Sequence, residues 1–134
     1  MNKPPLRKTG KTKAVNGKSK KSLVLQEDLL LLFVLKKMLE SIGYQCEAID
    51  NIDLLNGEDK THFDLVITDV LFKGHAPLEF ISQIKDSLSF GKIYIVSDME
   101  LSKLRKSISN IQPIDGFYET PIDLDKFKNN LLEQ

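Results

Sequence analysis

The feature that most constrains the fold of this chain is the segment Phe63–Asp69, a short apolar run that ends on a carboxylate. A nearly continuous apolar run of this length is typical of a strand buried on both faces of a parallel sheet. Periodicity alone also allows a buried helical turn, but the β-branched residues Val66, Ile67 and Thr68 favour a strand. In open α/β sheets, ligands bind beyond the carboxyl ends of the strands. Asp69 is therefore a candidate site residue, with a capping or solvated carboxylate in a turn as the alternative.

Length and composition limit the class of protein. The 134 residues fit one domain that can fold without metals or disulfides. A single cysteine, Cys46, excludes an internal disulfide and a multi-cysteine zinc site, and agrees with a reducing compartment. No apolar run approaches the ~20 residues needed to cross a bilayer, and the first residues lack the apolar core of a secretion signal. We therefore predict a cytoplasmic protein without a membrane span.

The zero net charge conceals two regions of opposite charge. Residues 1–21 contain eight Lys or Arg and no acid, which leaves eleven basic against nineteen acidic residues in 22–134. The segment 1–21 has almost no large apolar side chains, so we predict a disordered basic tail, followed by one folded domain at 22–134. Such a tail could bind nucleic acid, anionic lipid or an acidic partner, or fold back on the acidic domain as a solubilising arm. Without aromatic residues, its binding to nucleic acid would be nonspecific.

Apolar runs and helical patterns alternate along the rest of the chain. Strands are predicted at Ser22–Gln26, Tyr44–Ile49, Phe63–Asp69, Lys92–Val96 and Phe117–Thr120. Helices are predicted at 28–42, with Leu29, Leu32, Phe33, Leu35, Leu39 and Ile42 as the apolar stripe, and at 51–60, 77–88, 99–110 and 123–134. Gly43 and Gly91 are interpreted as helix stops. Strict alternation with short connections predicts an α/β fold, a doubly wound five-stranded parallel sheet with helices on both faces.

Polar residues follow four of the predicted strands. The ends of the first, third, fourth and fifth strands would bring together Glu27, Asp69, Ser97 and Thr120. Two carboxylates form an oxygen-only pocket that suits Mg²⁺ better than zinc. A hydroxyl and backbone amides beside it would receive an oxyanion such as a phosphoryl group. An aspartate carboxylate can also act as a nucleophile and become an acyl phosphate.

Residues 22–134 resemble the receiver domain of two-component response regulators, and are similar in fold to the chemotaxis-type single-domain regulators. The segments that carry the resemblance are Leu23–Asp28, Phe63–Asp69, Ile93–Ser97 and Asp115–Pro121. The resemblance implies a flavodoxin-like (βα)5 fold with strand order 2-1-3-4-5. It also implies that a histidine kinase or phosphotransfer protein donates a phosphoryl group to Asp69.

The resemblance assigns further roles around Asp69. Glu27, Asp69 and the backbone carbonyl of Leu71 would hold Mg²⁺, and Gln26 and Asp28 would belong to the same acidic pocket. Ser97 would bond the phosphoryl oxygen. The ring of Phe117 would turn inward when the phosphoryl group engages Ser97, and the peptide bond before Pro121 would be cis.

Several positions depart from the receiver pattern. Gln26 stands where the family has an acid, which should lower metal affinity, and Thr120 replaces the lysine that pairs with the phosphoryl group. Lys73, on the loop after Asp69, is either a substitute cation or a solvated charge. His75 on that loop is an acid-base group, a metal ligand or neither, and His62 is interpreted as a surface residue. Of Phe117 and Tyr118, alternation predicts one in the core and one facing a partner.

These observations predict a divergent single-domain receiver, whose output partner binds the face formed by the fourth helix, fifth strand and fifth helix. It would be either a slow phosphorylated switch or a pseudo-receiver that binds its partner without phosphorylation. No catalysis is expected beyond slow self-phosphorylation and dephosphorylation at Asp69. A Mg²⁺-dependent phosphohydrolase is the alternative from another class, but such enzymes usually carry an acid two residues after the nucleophile, where this chain has Leu71. A third possibility is that the domain presents the basic tail to nucleic acid.

Overall fold

A single parallel sheet organises the computed structural model, which describes residues 20–51, 61–74, 83–100, 102–103, 106 and 114–133. Its strands are β1 (Lys20–Leu25), β2 (Tyr44–Ile49), β3 (His62–Thr68), β4 (Ser89–Ser97) and β5 (Gly116–Glu119). Every pairing is parallel, and the strand order is β2-β1-β3-β4-β5. The predicted fold class and strand order are therefore confirmed.

Helical segments cover both faces of the sheet. The helices α1 (Leu29–Ser41) and α2 (Leu124–Leu132) pack on one face, against alternate strand residues such as Val24 and Ile67. On the other face, Ile84 of the helical residues 83–87 packs against Leu25 and Val66. Because alternate residues of the central strands point to opposite faces, both clusters require apolar side chains, and this explains the continuous apolar runs.

Helix α1 begins where the sequence predicts, but the face that it buries differs from the predicted apolar stripe. Asp28 is its N-cap, with the carboxylate accepting the backbone N–H groups of Leu30 and Leu31. Gly43, with φ at 101°, follows the helix in the left-handed region. The predicted stripe residues Leu29 and Phe33 are 63% and 56% exposed, because they lie roughly 120° and 160° around the helix from buried Leu35. Met38, which the prediction omitted, is buried instead.

Two strands begin two or more residues earlier than predicted. β1 starts at Lys20, so Lys20 and Lys21, assigned to the tail by their charge, belong to the sheet. β4 starts at Ser89, so Gly91 lies within a strand and the prediction of a helix stop there is wrong. A Cβ atom on Gly91 would lie 2.8 Å from the backbone oxygen of Asp64 in β3. Glycine is therefore needed at this position for the close approach of the two strands.

The carboxyl-terminal part of the chain packs through aromatic rings. The ring centroids of Tyr118 and Phe127 are 4.3 Å apart, and the Asn130 side-chain amide donates to the Tyr118 hydroxyl. Phe117 points to the other face and packs against the cluster that contains Ile84. Both Phe117 and Tyr118 are half-buried, and each ring packs against a different side of the core. That one of them faces a partner stays a prediction.

The other predictions divide into those within and those outside the described residues. His62 is exposed as predicted, and Cys46 is half-buried beside the α1 side of the core. Residues 1–19, the predicted helix at 52–60, His75, the start of the helix at 77–88 and most of the helix at 99–110 lie outside the described residues. The division into a tail and a domain stays a prediction. Within the described ranges, no helix is long and apolar enough to cross a membrane.

Candidate functional site

Parallel pairing places the first candidate residues side by side. Leu25 pairs with Thr68, so Gln26 and Asp69, the next residues of β1 and β3, emerge together at the carboxyl edge of the sheet. The Asp69 backbone N–H donates to the Leu25 carbonyl at 3.0 Å, and the Gln26 N–H donates to the Ile49 carbonyl at 3.1 Å. These bonds continue the ladders beyond the strand ends and fix the direction in which both side chains leave.

The Asp69 carboxylate is buried and oriented by its own loop. It is 8% exposed, and its Oδ1 accepts the backbone N–H groups of Val70 at 2.6 Å and Leu71 at 2.9 Å. The neighbouring Thr68 hydroxyl donates to the Asp69 carbonyl at 2.7 Å. Among the described residues, no donor contacts Oδ2 of Asp69. One oxygen is therefore held by the backbone, and the other remains available for chemistry or for a ligand.

The residues that follow β1 are oriented by backbone amides. Gln26 is 3% exposed, and its Oε1 accepts the Asp28 backbone N–H at 3.1 Å. Glu27 points to solvent, and its Oε2 accepts the Lys73 backbone N–H at 3.0 Å. Glu27 is thereby attached to the loop that follows Asp69. Lys73 is exposed, and this contact uses its backbone rather than its ammonium group.

The ends of β4 and β5 supply the hydroxyl groups. Ser97 is buried, and its Oγ accepts the Met99 backbone N–H at 3.1 Å. The backbone N–H of Thr120 donates to the Ser97 carbonyl at 3.0 Å, and the Thr120 hydroxyl donates to the Asp98 carboxylate. The peptide bond between Thr120 and Pro121 is cis, as the resemblance implied.

A cavity of about 290 Å³ opens where these strand ends meet. Its polar lining comprises Gln26, Asp28, Asp69, Asp98 and Thr120, and its apolar lining comprises Leu30, Leu31, Val34, Pro121, Ile122 and Leu124. Four of the predicted site residues therefore share one cavity. Glu27, Ser97 and Phe117 are not among its described lining residues: Glu27 lies at the neighbouring loop, Ser97 is buried behind, and Phe117 packs in the core.

Sequence reasoning gave no role to Asp98 or to the apolar wall. Asp98 follows β4 in the same way that Asp69 follows β3, and this spacing was the available signal. The wall could not be predicted, because Leu30, Leu31 and Val34 have the composition of an ordinary helix face. Only the position of α1 beside residues 120–124 shows that these residues enclose a space.

The oxygen atoms near Asp69 fit a hard cation. Mg²⁺ typically binds through one or two carboxylates and keeps several waters. Asp69 Oδ2 and Glu27 Oε1 accept no hydrogen bond from the described residues, and the two side chains border the same loop. Among the described residues, including those around Asp69, no three or more His, Cys, Asp or Glu side chains are grouped to hold a metal ion. The donor set next to Asp69 is thus small, but its chemistry is suitable.

The arrangement of the strands matches a known class of structure. A CheY-like response regulator receiver domain protein from Methanospirillum hungatei has a TM-score of 0.70 and 18% identity, over 87% of this chain and 93% of that one. The chain has the fold of a receiver domain. A receiver domain from Methylobacillus flagellatus superposes with a TM-score of 0.69 and 21% identity, over 87% of this chain and 98% of its own.

A further receiver-type neighbour is described with a modified site. This response regulator protein from Burkholderia pseudomallei, with a phosphorylated aspartic acid and a calcium ion, has a TM-score of 0.67 and 17% identity over 85% of this chain and 71% of that one. No known family profile matches the sequence, and no curated protein does. The receiver fold is therefore evident in three dimensions and not in sequence similarity.

Proposed function

We propose that this chain is a divergent receiver module in phosphorelay signalling, with Asp69 as the phosphoacceptor. The observation that carries the proposal is the state of the Asp69 carboxylate, which is buried at the carboxyl end of the central strand with Oδ1 held by two backbone amides. Those amides would orient the carboxylate for attack on phosphorus through its other oxygen. The phosphorylated aspartic acid of the Burkholderia pseudomallei neighbour supports the same chemistry on this fold.

The phosphoryl donor in this proposal is a histidine kinase or a phosphotransfer protein. Mg²⁺ would be held by Asp69, Glu27 and the backbone carbonyl of Leu71, and would neutralise charge on the transferred group. Ser97 would donate its hydroxyl to a phosphoryl oxygen, since its Oγ accepts from Met99 and its own proton is available. Phe117 and Thr120 on the fifth strand would connect the site to an output partner.

A phosphorylation-independent receiver is the second candidate, and a specific contact favours it. Thr120 occupies the position where receivers carry a lysine, and its hydroxyl donates to Asp98. The charge that would pair with a phosphoryl group is therefore absent at this position, and the buried amide of Gln26 replaces an acid in the metal pocket. In this form the domain would bind its partner without passing through two phosphorylation states.

The two candidates are separated by a phosphorylation experiment. The full chain is incubated with Mg²⁺ and acetyl phosphate, and intact-mass spectrometry follows the addition of HPO₃, about 80 Da. A phosphoacceptor at Asp69 predicts one adduct, which hydroxylamine removes and Asp69→Asn abolishes. The matched control is Asp64→Asn, which changes an exposed aspartate on the same strand and leaves an oxygen to accept the Lys21 N–H.

The outcomes lead to different conclusions. An adduct that persists in Asp69→Asn would contradict the assignment of the acceptor. The absence of any adduct, with a folded protein by circular dichroism, would leave the phosphorylation-independent receiver as the function. Steady release of phosphate from phosphomonoesters, lost in Asp69→Ala, would instead establish the phosphohydrolase, which the apolar side chain of Leu71 disfavours.

A further inference from the structure

The cavity at the carboxyl edge of the sheet has an uneven charge distribution. Three aspartates, Asp28, Asp69 and Asp98, line it, and no Lys, Arg or His is among its described lining residues. Like charges that line one cavity repel one another, and Asp69 is only 8% exposed to screening water. The cavity therefore favours a positively charged occupant.

Each of the three carboxylates uses only one of its two oxygens in hydrogen bonds with the described residues. Oδ1 of Asp28 accepts two helix amides, Oδ1 of Asp69 accepts two loop amides, and Oδ1 of Asp98 accepts the Thr120 hydroxyl. In the described part of the chain, the Oδ2 atoms of all three make no hydrogen bond or ion pair. Three carboxylates, each with one oxygen that the described residues do not use, thus line one cavity.

Gln26 adds a buried donor. Its side chain is 97% buried, lines the cavity, and uses Oε1 to accept from Asp28. No acceptor among the described residues contacts its Nε2 group. A buried amide without a partner is costly, so this group points to a ligand that carries an oxygen acceptor.

The rest of the cavity is apolar. Leu30, Leu31 and Val34 of α1 face Pro121, Ile122 and Leu124 across the opening. A cavity of about 290 Å³ lies just below the usual range for small-molecule sites, about 300–1,000 Å³. The aspartates are also too dispersed for a shared metal ion, since no described group of three acids is placed to hold one. These dimensions suit an organic cation rather than a bare ion.

We propose that this cavity binds an amphipathic primary amine that carries a neutral carbonyl oxygen beside its ammonium group. The ammonium would donate to one carboxylate of the cavity and lie in the field of the other two, the carbonyl oxygen would accept from Gln26 Nε2, and a branched aliphatic group would contact the leucine and isoleucine wall. Two sources share this chemistry: an amino-acid amide and the N-terminus of a peptide whose first residue is apolar. The proposal does not depend on phosphorylation of Asp69.

Leucinamide is the probe that tests it, by isothermal titration calorimetry with the full chain and by NMR of the isoleucine, leucine and valine methyl groups. We expect saturable binding with shifts at Leu31, Val34 and Ile122. N-acetyl-leucinamide has the same body without the charge and should bind at least about tenfold more weakly, because one charged hydrogen bond contributes that much. Leucine adds a carboxylate that the aspartates repel, and should also bind more weakly.

A substituted side chain of the protein itself can also occupy the cavity. Thr120→Lys places an ammonium group on a cavity-lining position, and should compete with leucinamide and abolish its binding. Asp98→Asn removes one of the three charges and should weaken it several-fold. Asp64→Asn, at roughly 16 Å along β3 from Asp69, is the matched control and should bind as the unaltered chain does.

Equal affinity for leucinamide and its N-acetyl form would overturn the proposal. So would the absence of saturable binding, or full binding in a folded Thr120→Lys variant. A peptide Leu-Ala-Ala amide distinguishes the two sources: tighter binding than leucinamide supports a peptide N-terminus, and equal binding supports a small amine. Because these measurements need no phosphodonor, their failure is separate from failure of the phosphoacceptor proposal.

Discussion

The hydroxyl of Thr120 donates a hydrogen bond to the carboxylate of Asp98, which joins the residue after β5 to the residue after β4. The neutral hydroxyl of Thr120 thus stands where a receiver has a lysine. It also occupies one of the two oxygens of the Asp98 carboxylate. In the proposed function, a phosphoryl group on Asp69 would therefore form no ion pair with residue 120 at the end of β5.

Restoring the cation should strengthen binding of a phosphoryl mimic. In Thr120→Lys, we expect the affinity for beryllofluoride in Mg²⁺ to rise about tenfold, because a charge-assisted hydrogen bond contributes about 1.5–3 kcal/mol. The measurement is a beryllofluoride titration followed by backbone NMR. Thr61→Lys, which adds the same charge at the amino end of β3, should show no change. Equal gains in the two variants would indicate a nonspecific effect of net charge.

Restoring the missing acid should strengthen metal binding. Gln26→Asp adds a carboxylate beside Asp69, and we expect Mg²⁺ affinity to rise by on the order of tenfold through Coulomb attraction at short range. Calorimetric titration with Mg²⁺ measures the change. Gln45→Asp is the matched control, because it adds the same charge on the exposed side of β2. A gain confined to Gln26→Asp assigns the metal to this pocket, whereas no gain would place the metal elsewhere.

The sequence predicted the sheet well because burial on both faces leaves a strong local signal. β2 has the predicted bounds, and α1 begins within one residue of its predicted start at 28. The predictions were wrong where the same local sequence fits two kinds of secondary structure. Gly91 has the appearance of a helix stop, and only the approach of the Asp64 carbonyl shows that it belongs to a strand.

The site was predictable to the level of strand ends and no further. Parallel strands end at one edge, so Asp69 could be placed near the end of β1, but Gln26 rather than the predicted Glu27 shares the cavity with it. The hydrogen-bond partners of Thr120 and Glu27 could not be predicted, because they depend on the conformations of short loops. Likewise, Leu29 and Phe33 fit an apolar stripe by spacing, and the rotation of α1 about its axis decided which side is buried.

Phe127 should be a principal source of stability for the α2 side of the core. Its side chain is fully buried, and its ring lies 4.3 Å from that of Tyr118 and 5.7 Å from that of Tyr94, measured between centroids. We expect Phe127→Ala to lower the free energy of unfolding by about 3–5 kcal/mol through lost burial and a residual cavity. Urea denaturation measures the loss.

Leu132 supplies the control on the same helix. It is 58% exposed, so Leu132→Ala should change the free energy of unfolding by less than about 0.5 kcal/mol. A similar loss in both variants would show that α2 itself, rather than the aromatic cluster, carries the stability. If Phe127→Ala cannot be purified in folded form, Phe127→Leu should still show a smaller loss of the same origin.

The thiol of Cys46 should make stability depend on pH in the alkaline range. Burial is the largest influence on this group and raises its pKa above the ordinary value of 9.0, with the Ser22 hydroxyl and Lys36 acting in the opposite direction. As pH rises through 9.0, the thiol of the unfolded chain ionises first, which favours unfolding. The thiol's contribution is therefore complete below about pH 8 and is lost progressively above pH 9.0.

Cys46→Ala isolates this effect. Burial also raises the pKa of Tyr44 and adds alkaline destabilisation of the same sign, but Tyr44 is present in both proteins. Urea denaturation under reducing conditions should therefore show the free energy of unfolding of the unaltered chain falling more steeply above pH 9.0 than that of the variant. Parallel pH profiles would mean that the thiol is solvated in the native state, and rapid alkylation by iodoacetamide at neutral pH would independently indicate the same.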